Sequence, residues 1–419
     1  MPLDYACCHA DFASLPTRLT NGRFNAAPAR AFWGHDRSVQ RARVYYDRDG
    51  TMVARAIPQC TLGSGLRRDG LGNAASWRGR VKYGVSLVLL LFVRDFFSLC
   101  CSQCRHAPPE DRAMILTLAR LILHTVRRRR LSMMAGQIGW RQVPAGFWML
   151  IDPNEWFGRT VMMGYYESHL VYCIHQCVHE GDTCLDIGAH QGYSSMHFAR
   201  AAGTTGCLVA IEPTRIAFER LVQNVQRNGF RTITCVNIAA GDTPTTLEIW
   251  CNPQESGHSS IYSRPSETSV CEVISVKPVD TILAETLGED AHSRLAFVKI
   301  DVEGYEPPVL DGMSRTLRLA QPIIWIEVNP PLLAKGGYRA SDIERRLEAY
   351  NYRFFKPHFR RNAIGIPSLT LEPYRDIDAR LAGKMADLVA VVPGSAGWQR
   401  ILNSKIRLIE GELSPCIIS

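Results

Sequence analysis

The run Val298–Pro307, which reads Val-Lys-Ile-Asp-Val-Glu-Gly-Tyr-Glu-Pro, places the strongest constraint on how this chain folds. Its alternating apolar start predicts a buried strand. Asp301 and Glu303 follow directly, and Gly304 then allows the backbone to turn. In an open α/β sheet, the carboxyl ends of the strands form the edge where ligands bind. The run therefore predicts a strand that delivers two carboxylates to a ligand-binding edge.

A second strand end of the same kind lies earlier in the chain, in the run Cys184–Tyr193. There an apolar strand ends at Asp186 and is followed by a turn that contains Gly188 and Gly192. The next predicted strand ends at Glu212, 26 residues after Asp186. An acid at the end of the second strand of such a unit can hold the hydroxyls of a ribose. The spacing predicts a nucleoside that lies across two adjacent strand ends.

The glycine turn differs from the pattern that binds dinucleotides. It lacks the closely spaced G-x-G-x-x-G glycines that receive a pyrophosphate, because Ala189 and His190 stand between its glycines. An acid, Asp186, precedes them. An acid at this place suits a cationic amino-acid tail better than a pyrophosphate. S-adenosylmethionine carries such a tail and NAD does not, so the turn favours S-adenosylmethionine as the cofactor.

Four segments together resemble the FkbM family of S-adenosylmethionine-dependent methyltransferases. They are Gly164–Glu167, Leu185–Tyr193, Ala210–Pro213 and Val298–Glu306, and the likeness covers roughly residues 145–395. The resemblance implies a class I methyltransferase fold, which is an α/β fold with a Rossmann-like, seven-stranded, mostly parallel sheet and helices on both faces. It also implies O-methylation of a hydroxyl on a sugar, glycolipid or polyketide-like acceptor.

The resemblance assigns roles to individual residues. The cofactor-binding positions that it implies are Asp186, Gly188, Ala189, His190, Gly192, Glu212, Ala240 and Asp242. His190 departs from the family, which often has a small polar residue at this position. Asp301 and Glu303 match the acids that the family places beside the transferred methyl group.

Methyl transfer to an alcohol needs a proton acceptor as well as alignment of the reacting atoms. Asp301 is the first candidate for this catalytic role, followed by Glu303 and His258. Glu303 has an alternative interpretation as a structural acid in the Gly304 turn, and His258 as a solvated loop residue. Glu327, at the end of an apolar run, is a further residue that would face the acceptor.

Two clusters raise the question of a metal ion. Tyr172–His179 contains two cysteines and two histidines, but helical geometry puts the cysteines and the histidines on different faces. We expect no metal there, and no metal site is assigned. A divalent ion held by Asp301 and Glu303 stays open as an alternative.

Composition and apolar periodicity divide the chain into four parts. Residues 1–80 show no sustained apolar period and predict a disordered or poorly structured extension. Residues 81–139 predict a helical segment, residues 140–395 the catalytic domain, and residues 396–419 a C-terminal tail. In the catalytic part, strands and helices alternate, with predicted strands at 183–187, 207–211 and 323–328.

Charge is unevenly distributed. Residues 1–150 contain 22 Lys+Arg and 9 Asp+Glu, and the remainder contains 26 and 31, so the two parts carry +13 and −5. The acidic catalytic part gives no support to a nucleic-acid partner. The small-molecule or glycan acceptor is what the family resemblance implies. The basic helix predicted at Asp111–Val126, followed by Arg127–Arg130, either packs on the core or makes a weak peripheral membrane contact through 111–130.

No apolar run in residues 1–20 resembles a secretory signal, and Gly84–Val93 is too short to span a bilayer. The scattered single cysteines predict a cytoplasmic protein, and a peripheral position at the membrane stays open as an alternative. The sequence does not predict the oligomeric state. Two other functions remain open, a nucleotide- or NAD-dependent enzyme on a similar sheet and a non-catalytic scaffold docked on a membrane. The missing pyrophosphate turn speaks against the first, and the acids at the strand ends speak against the second.

Overall fold

The structure is a computed structural model that describes residues 42–46, 52–56, 136–252, 259, 261–262, 267–362 and 365–409. The strands, numbered along the chain, are β1 (Ala42–Tyr46), β2 (Met52–Ala56), β3 (Gly139–Gln142), β4 (Trp148–Ile151), β5 (Thr183–Ile187), β6 (Cys207–Ile211), β7 (Ile233–Asn237), β8 (Ala239–Gly241), β9 (Thr245–Cys251), β10 (Val270–Pro278), β11 (Leu295–Ile300), β12 (Ile323–Val328), β13 (Arg353–Arg361), β14 (Pro367–Tyr374), β15 (Ala386–Val391) and β16 (Arg407–Leu408).

The described helices connect and cover these strands. They are α1 (Trp156–Met163), α2 (Ser168–Cys177), α3 (Tyr193–Ala202), α4 (Arg215–Arg227), α5 (Val279–Leu287), α6 (Glu306–Asp311), α7 (Ser314–Leu319), α8 (Pro330–Lys335), α9 (Ala340–Glu348), α10 (Ile377–Leu381) and α11 (Ala396–Leu402). Within the described ranges, no helix is both long and apolar enough to cross a bilayer.

The main sheet has the strand order β1-β2-β7-β6-β5-β11-β12-β15-β13-β14-β16. Its centre, β7-β6-β5-β11-β12, is parallel. β15 runs antiparallel between β12 and β13. The five parallel strands, then β15 and then β13 beyond it, form the seven-stranded class I methyltransferase sheet, in which only β15 runs antiparallel. The expected fold class is therefore confirmed.

The sheet is wider than the seven strands expected. β14 and β16 extend it beyond β13, and the β1–β2 hairpin extends it beyond β7. That hairpin lies in the segment for which the sequence predicted no regular structure. Neither strand of the hairpin has a sustained apolar run, so the local sequence pattern did not predict them. β2 pairs with the otherwise open edge of β7. The helix predicted at 111–126 lies outside the described residues.

Alternating residues of the strands pack into two separate cores, one on each face of the main sheet. The first core contains Cys184, Phe297 and Trp325 and is covered by α1 to α4 and α11. The second contains Leu185 and Val298 and is covered by α5 to α10. Because a strand has a side-chain period of two, each buried strand must be apolar on both faces. The near-continuous apolar runs that identified the strands are a consequence of this double burial.

The β3–β4 hairpin is tied to the first core through α4. Asn224 of α4 is fully buried, its Oδ1 accepts a hydrogen bond from the Leu150 amide, and its Nδ2 donates to the Gln191 carbonyl, each at 2.8 Å. Gln191 belongs to the glycine turn. One side chain therefore links the hairpin, the helix and the turn.

We predict that Asn224→Ala destabilises the protein by about 1–3 kcal/mol, because it leaves a half-buried amide and a buried carbonyl without their partner. Urea unfolding measures the change. The matched control is Glu219→Ala on an exposed face of α4, which should stay within about 0.5 kcal/mol of wild type. Equal stability of the two variants would contradict the linking role of Asn224.

Candidate functional site

A row of charged residues crosses the carboxyl edge of the sheet on the face of the first core. Asp186 of β5 pairs in register with Lys299 of β11, and Glu327 of β12 pairs with Asp387 at the start of β15. All four lie on the strand face that carries Cys184, Phe297 and Trp325 further down. The apolar core of this face therefore ends in a polar layer at the edge where the fold binds ligands.

Lys299 lies at the centre of this layer and is only 3% exposed. Its Nζ donates to Asp301 Oδ2 at 3.0 Å and to the Gly188 carbonyl at 3.2 Å. Glu167 Oε1 and Asp186 Oδ1 lie 3.7 and 3.8 Å from the same nitrogen. Burial lowers the pKa of Lys299, but the surrounding carboxylates, with Asp301 first, outweigh it and raise the pKa well above its ordinary value. The ammonium charge is therefore fixed.

The glycine turn packs directly on the strand end that carries Asp301. Gly188 has φ +78°, and a Cβ at this position would lie 1.8 Å from the Asp301 carbonyl oxygen. Gly192 has φ +85°, and a Cβ there would lie 2.4 Å from Leu221 Cδ1. Both glycines are required by conformation and by space. The two strand-end motifs found in the sequence are thus one continuous site.

Asp186 is completely buried beneath this turn. Its Oδ2 accepts hydrogen bonds from Ser194 Oγ at 2.9 Å and Ser195 Oγ at 2.6 Å at the start of α3. Its Oδ1 is buried and has no hydrogen-bond partner among the described residues. A buried carboxylate oxygen without a donor is costly. It leaves one acceptor open toward the turn.

Glu212 supports the turn as well as facing the ligand edge. Its Oε1 accepts from the amide and the hydroxyl of Thr214, and its Oε2 accepts from the His190 amide at 2.9 Å. Burial raises the pKa of Glu212, and these hydrogen bonds oppose the rise. A carboxylate has about four acceptor sites. Three are used within the chain, so one is left for a ribose hydroxyl.

The other predicted cofactor positions lie at two places. Ala189 is buried in the turn, and the half-buried ring of His190 stands edge-on to Phe157 with centroids 4.6 Å apart. Ala240 is buried in β8 and Asp242 is exposed just after it. Between them, Gly241 lies against the ring of Tyr305, which follows Asp301 in the chain. This segment therefore borders the second strand-end run rather than the glycine turn.

Three acids form a compact cluster on the far side of Lys299. Asp301, Glu303 and Glu327 present carboxylate oxygens that all lie within 4.8 Å of one another. Burial, with the charges of Asp301 and Glu306, raises the pKa of Glu303 to about 8. Burial, with the charges of Asp301 and Glu303, raises the pKa of Glu327 to about 10. Glu303 and Glu327 therefore hold protons near neutral pH in the protein without ligands. A divalent ion held by Asp301 and Glu303 stays a hypothesis.

The remaining sequence interpretations concern His258 and the cysteines and histidines of Tyr172–His179. His258 lies outside the described residues. In the segment Tyr172–His179, Cys173 and Cys177 of α2 are buried in the first core. His175 contacts His197 at 3.0 Å, whereas His179 follows the end of α2 and lies 3.1 Å from Arg400. The interpretation of this segment on helical geometry therefore applies only as far as Cys177, and the absence of a metal there stays a prediction.

Sequence reasoning missed several residues of the site. Lys299 and Glu167 were given no role, although both belong to the segments that resemble the family. His169 Nε2 lies 2.5 Å from Asp387 Oδ2, and Tyr166 contacts Phe157 and Tyr193 edge-on. A lysine between two apolar residues in a strand buried on both faces was the available signal for Lys299.

We predict that Glu327→Gln stabilises the protein increasingly as pH rises. Because the pKa of Glu327 is raised to about 10 from an ordinary value near 4.5, its stabilising contribution is complete below about pH 4.5 and is lost as pH rises toward the folded-state pKa. Glutamine does not ionise, so the variant does not lose stability in this way as pH rises. Thermal melts should show a gain of roughly 2–4 °C at about pH 8.5 and much less at about pH 5. Equal gains at both pH values, or a gain for the exposed control Glu219→Gln, would contradict it.

Comparison with known proteins shows what the segment that contains this site is similar to. Residues 186–354 match the family model described as Methyltransferase FkbM domain. No curated protein sequence matches the chain.

Among solved structures, a methyltransferase FkbM from Methylobacillus flagellatus is 18% identical with a TM-score of 0.30, over 50% of this chain and 43% of that protein. The chain thus spans less than half the length of that protein. The O-methyltransferase TomG from Streptomyces achromogenes is 14% identical with a TM-score of 0.29, over 54% and 78%. TM-scores this low do not establish a shared fold, so the architecture rests on the strand order.

The family match begins at Asp186, the acid under the glycine turn, and continues through β11 and β12 into β13. It therefore contains both strand-end motifs and the acid cluster between them. Residues 186–354 therefore match the Methyltransferase FkbM domain model, and this stretch contains β6, β7, β11 and β12 of the main sheet.

Proposed function

We propose that this protein transfers a methyl group from S-adenosylmethionine to a hydroxyl of a small-molecule or glycan acceptor. One observation carries the proposal: Lys299 contacts both the Gly188 carbonyl of the turn and the Asp301 carboxylate of the acid cluster. A cofactor in the turn and an acceptor over the acids would be neighbours.

The residues of the turn fit the cofactor. The orphaned Asp186 Oδ1 offers an acceptor for a cationic amino group, and the two glycines leave space that a side chain would fill. Glu212 retains one acceptor site for a ribose hydroxyl. Ala240 and Asp242 are the candidates for the adenine end. When bound, the cofactor supplies an electrophilic methyl group carried on a sulfonium.

The acid side of the site fits the acceptor. Asp301 is 23% exposed, and Lys299 holds one of its oxygens, so the other oxygen can accept a hydrogen bond from an acceptor hydroxyl. Glu303 and Glu327 hold protons at neutral pH, so each can also donate a hydrogen bond. A set of donors and acceptors of this kind suits a polyhydroxylated acceptor and supports the sugar and glycolipid classes among those the family implies.

We predict that Glu212→Ala weakens binding of S-adenosylhomocysteine about ten- to hundredfold, because a charge-assisted hydrogen bond contributes about 1.5–3 kcal/mol. Calorimetry measures the affinity. Since Glu212 also binds the amides of His190 and Thr214, a thermal melt of the variant shows how much of the loss comes from the turn itself. Unchanged affinity would remove Glu212 from the cofactor site.

We predict that Asp301→Asn lowers turnover by about 10²–10⁴-fold if Asp301 accepts the proton, and leaves affinity for S-adenosylhomocysteine within a fewfold. Labelled S-adenosylmethionine with a panel of saccharides and hydroxylated small molecules measures methyl transfer. A parallel loss of cofactor affinity would assign Asp301 to ordering the strand end. Turnover near that of wild type would exclude the base role. Failure of both cofactor forms to bind wild type would overturn the proposed function itself.

A further inference from the structure

Glu167 is an acid of this site whose charge is only partly compensated. Its Oε1 lies 3.7 Å from Lys299 Nζ, beyond hydrogen-bond distance, whereas Asp301 binds the same nitrogen at 3.0 Å. Its Oε2 is buried and has no partner among the described residues. The Lys299 ammonium therefore attracts the Glu167 carboxylate without occupying its hydrogen-bond acceptor sites.

The backbone of Glu167 is held in an unusual conformation. Glu167 precedes α2 as its N-cap with φ 42°, in the left-handed region, which is uncommon for a residue other than glycine. Its side chain makes no capping hydrogen bond to the helix amides. Such conformations persist where the surrounding structure enforces them, and they concentrate at functional sites. Here the conformation accompanies a side chain that leaves its own helix and meets the charged layer.

We propose that Glu167, in place of Asp301, accepts the proton of the acceptor hydroxyl during methyl transfer, an inference that rests on the proposed function. In this step the acceptor oxygen bonds to the methyl carbon while the sulfur keeps the electron pair of the broken S–C bond. The hydroxyl proton passes to the Glu167 carboxylate and is later released to solvent. Lys299 is the positioning residue that holds Asp301 and Glu167 on either side of this path.

The electrostatic surroundings suit this role. Burial raises the pKa of Glu167 to about 7, Lys299 opposes the rise, and Asp301, Asp186 and Asp387 add to it. A general base works best with a pKa near the working pH. The charged and titratable groups that face Glu167 are Lys299, Asp301, Asp186, Asp387, His169, Tyr166 and Tyr193.

The cationic charge of the methyl donor provides a test that needs no known acceptor. Burial raises the pKa of Glu167 to about 7, and a sulfonium beside it would favour the ionised form, so binding of S-adenosylmethionine should release a fraction of a proton from it. Neutral S-adenosylhomocysteine should release less. Calorimetry of the full chain in buffers of different ionisation enthalpy measures the number of protons released with each ligand.

We expect Glu167→Gln to lose the extra proton release and to keep its affinity for S-adenosylhomocysteine within a fewfold. Glu306→Gln is the matched control, because Glu306 is also buried with a pKa raised to about 7, but its Oε1 accepts from the Gly304 amide beneath the cluster. That control should keep the release. Glu167→Asp, which retains a carboxylate, should keep part of it.

Equal proton release by wild type and a folded Glu167→Gln, or loss of the release in Glu306→Gln instead, would overturn the role of Glu167 and leave the proposed function standing. Absence of binding by both cofactor forms would overturn the proposed function and this inference with it. On an acceptor from the panel, Glu167→Gln should lower turnover about 10²–10⁴-fold and remove the acidic limb of the pH profile. An unchanged limb would also overturn the proposal.

Discussion

The site depends on the burial of one ammonium group among carboxylates. Lys299 is almost completely buried in a strand covered on both faces, a position that is costly for a charge without compensation. Asp301 and the Gly188 carbonyl accept its hydrogen bonds, and Glu167 and Asp186 lie close by. Because these partners come from β5, β11 and the segment before α2, the single charge holds together the turn, the strand end and the start of a helix.

The carboxylates around Lys299 outnumber its one positive charge, and this excess determines the chemistry of the site. Asp301 makes the closest contact, while burial and mutual repulsion raise the pKa values of Glu167, Glu303 and Glu327. Asp301 is thus the ion-pair partner of Lys299, and Glu167 titrates near neutrality. Glu303 and Glu327 keep their protons. Environment rather than residue type separates these roles, which is how one sheet edge can bind a cation and also accept a proton.

The double-sided burial of the sheet explains why the site lies on one face. Apolar residues alternate between two cores along β5, β11, β12 and β15, and the polar residues continue the alternation of the first core at the carboxyl edge. The register that pairs Asp186 with Lys299 and Glu327 with Asp387 is set by the apolar packing below. A slip of one residue would move these side chains to the other face. Packing of the core therefore also aligns the charges.

The sequence by itself determined the central strands, because strands buried on both faces must be apolar throughout. The predicted spans 183–187, 207–211 and 323–328 match β5, β6 and β12. It also indicated the glycine turn and the acids at the strand ends, since glycine spacing and strand-end acids are local signals. The tertiary structure decided which charges meet. Glu167 and Lys299 are 132 residues apart, and local patterns carry no information on such a contact. Whether an acid pairs, titrates or keeps its proton depends on burial and neighbours, which only the folded chain supplies.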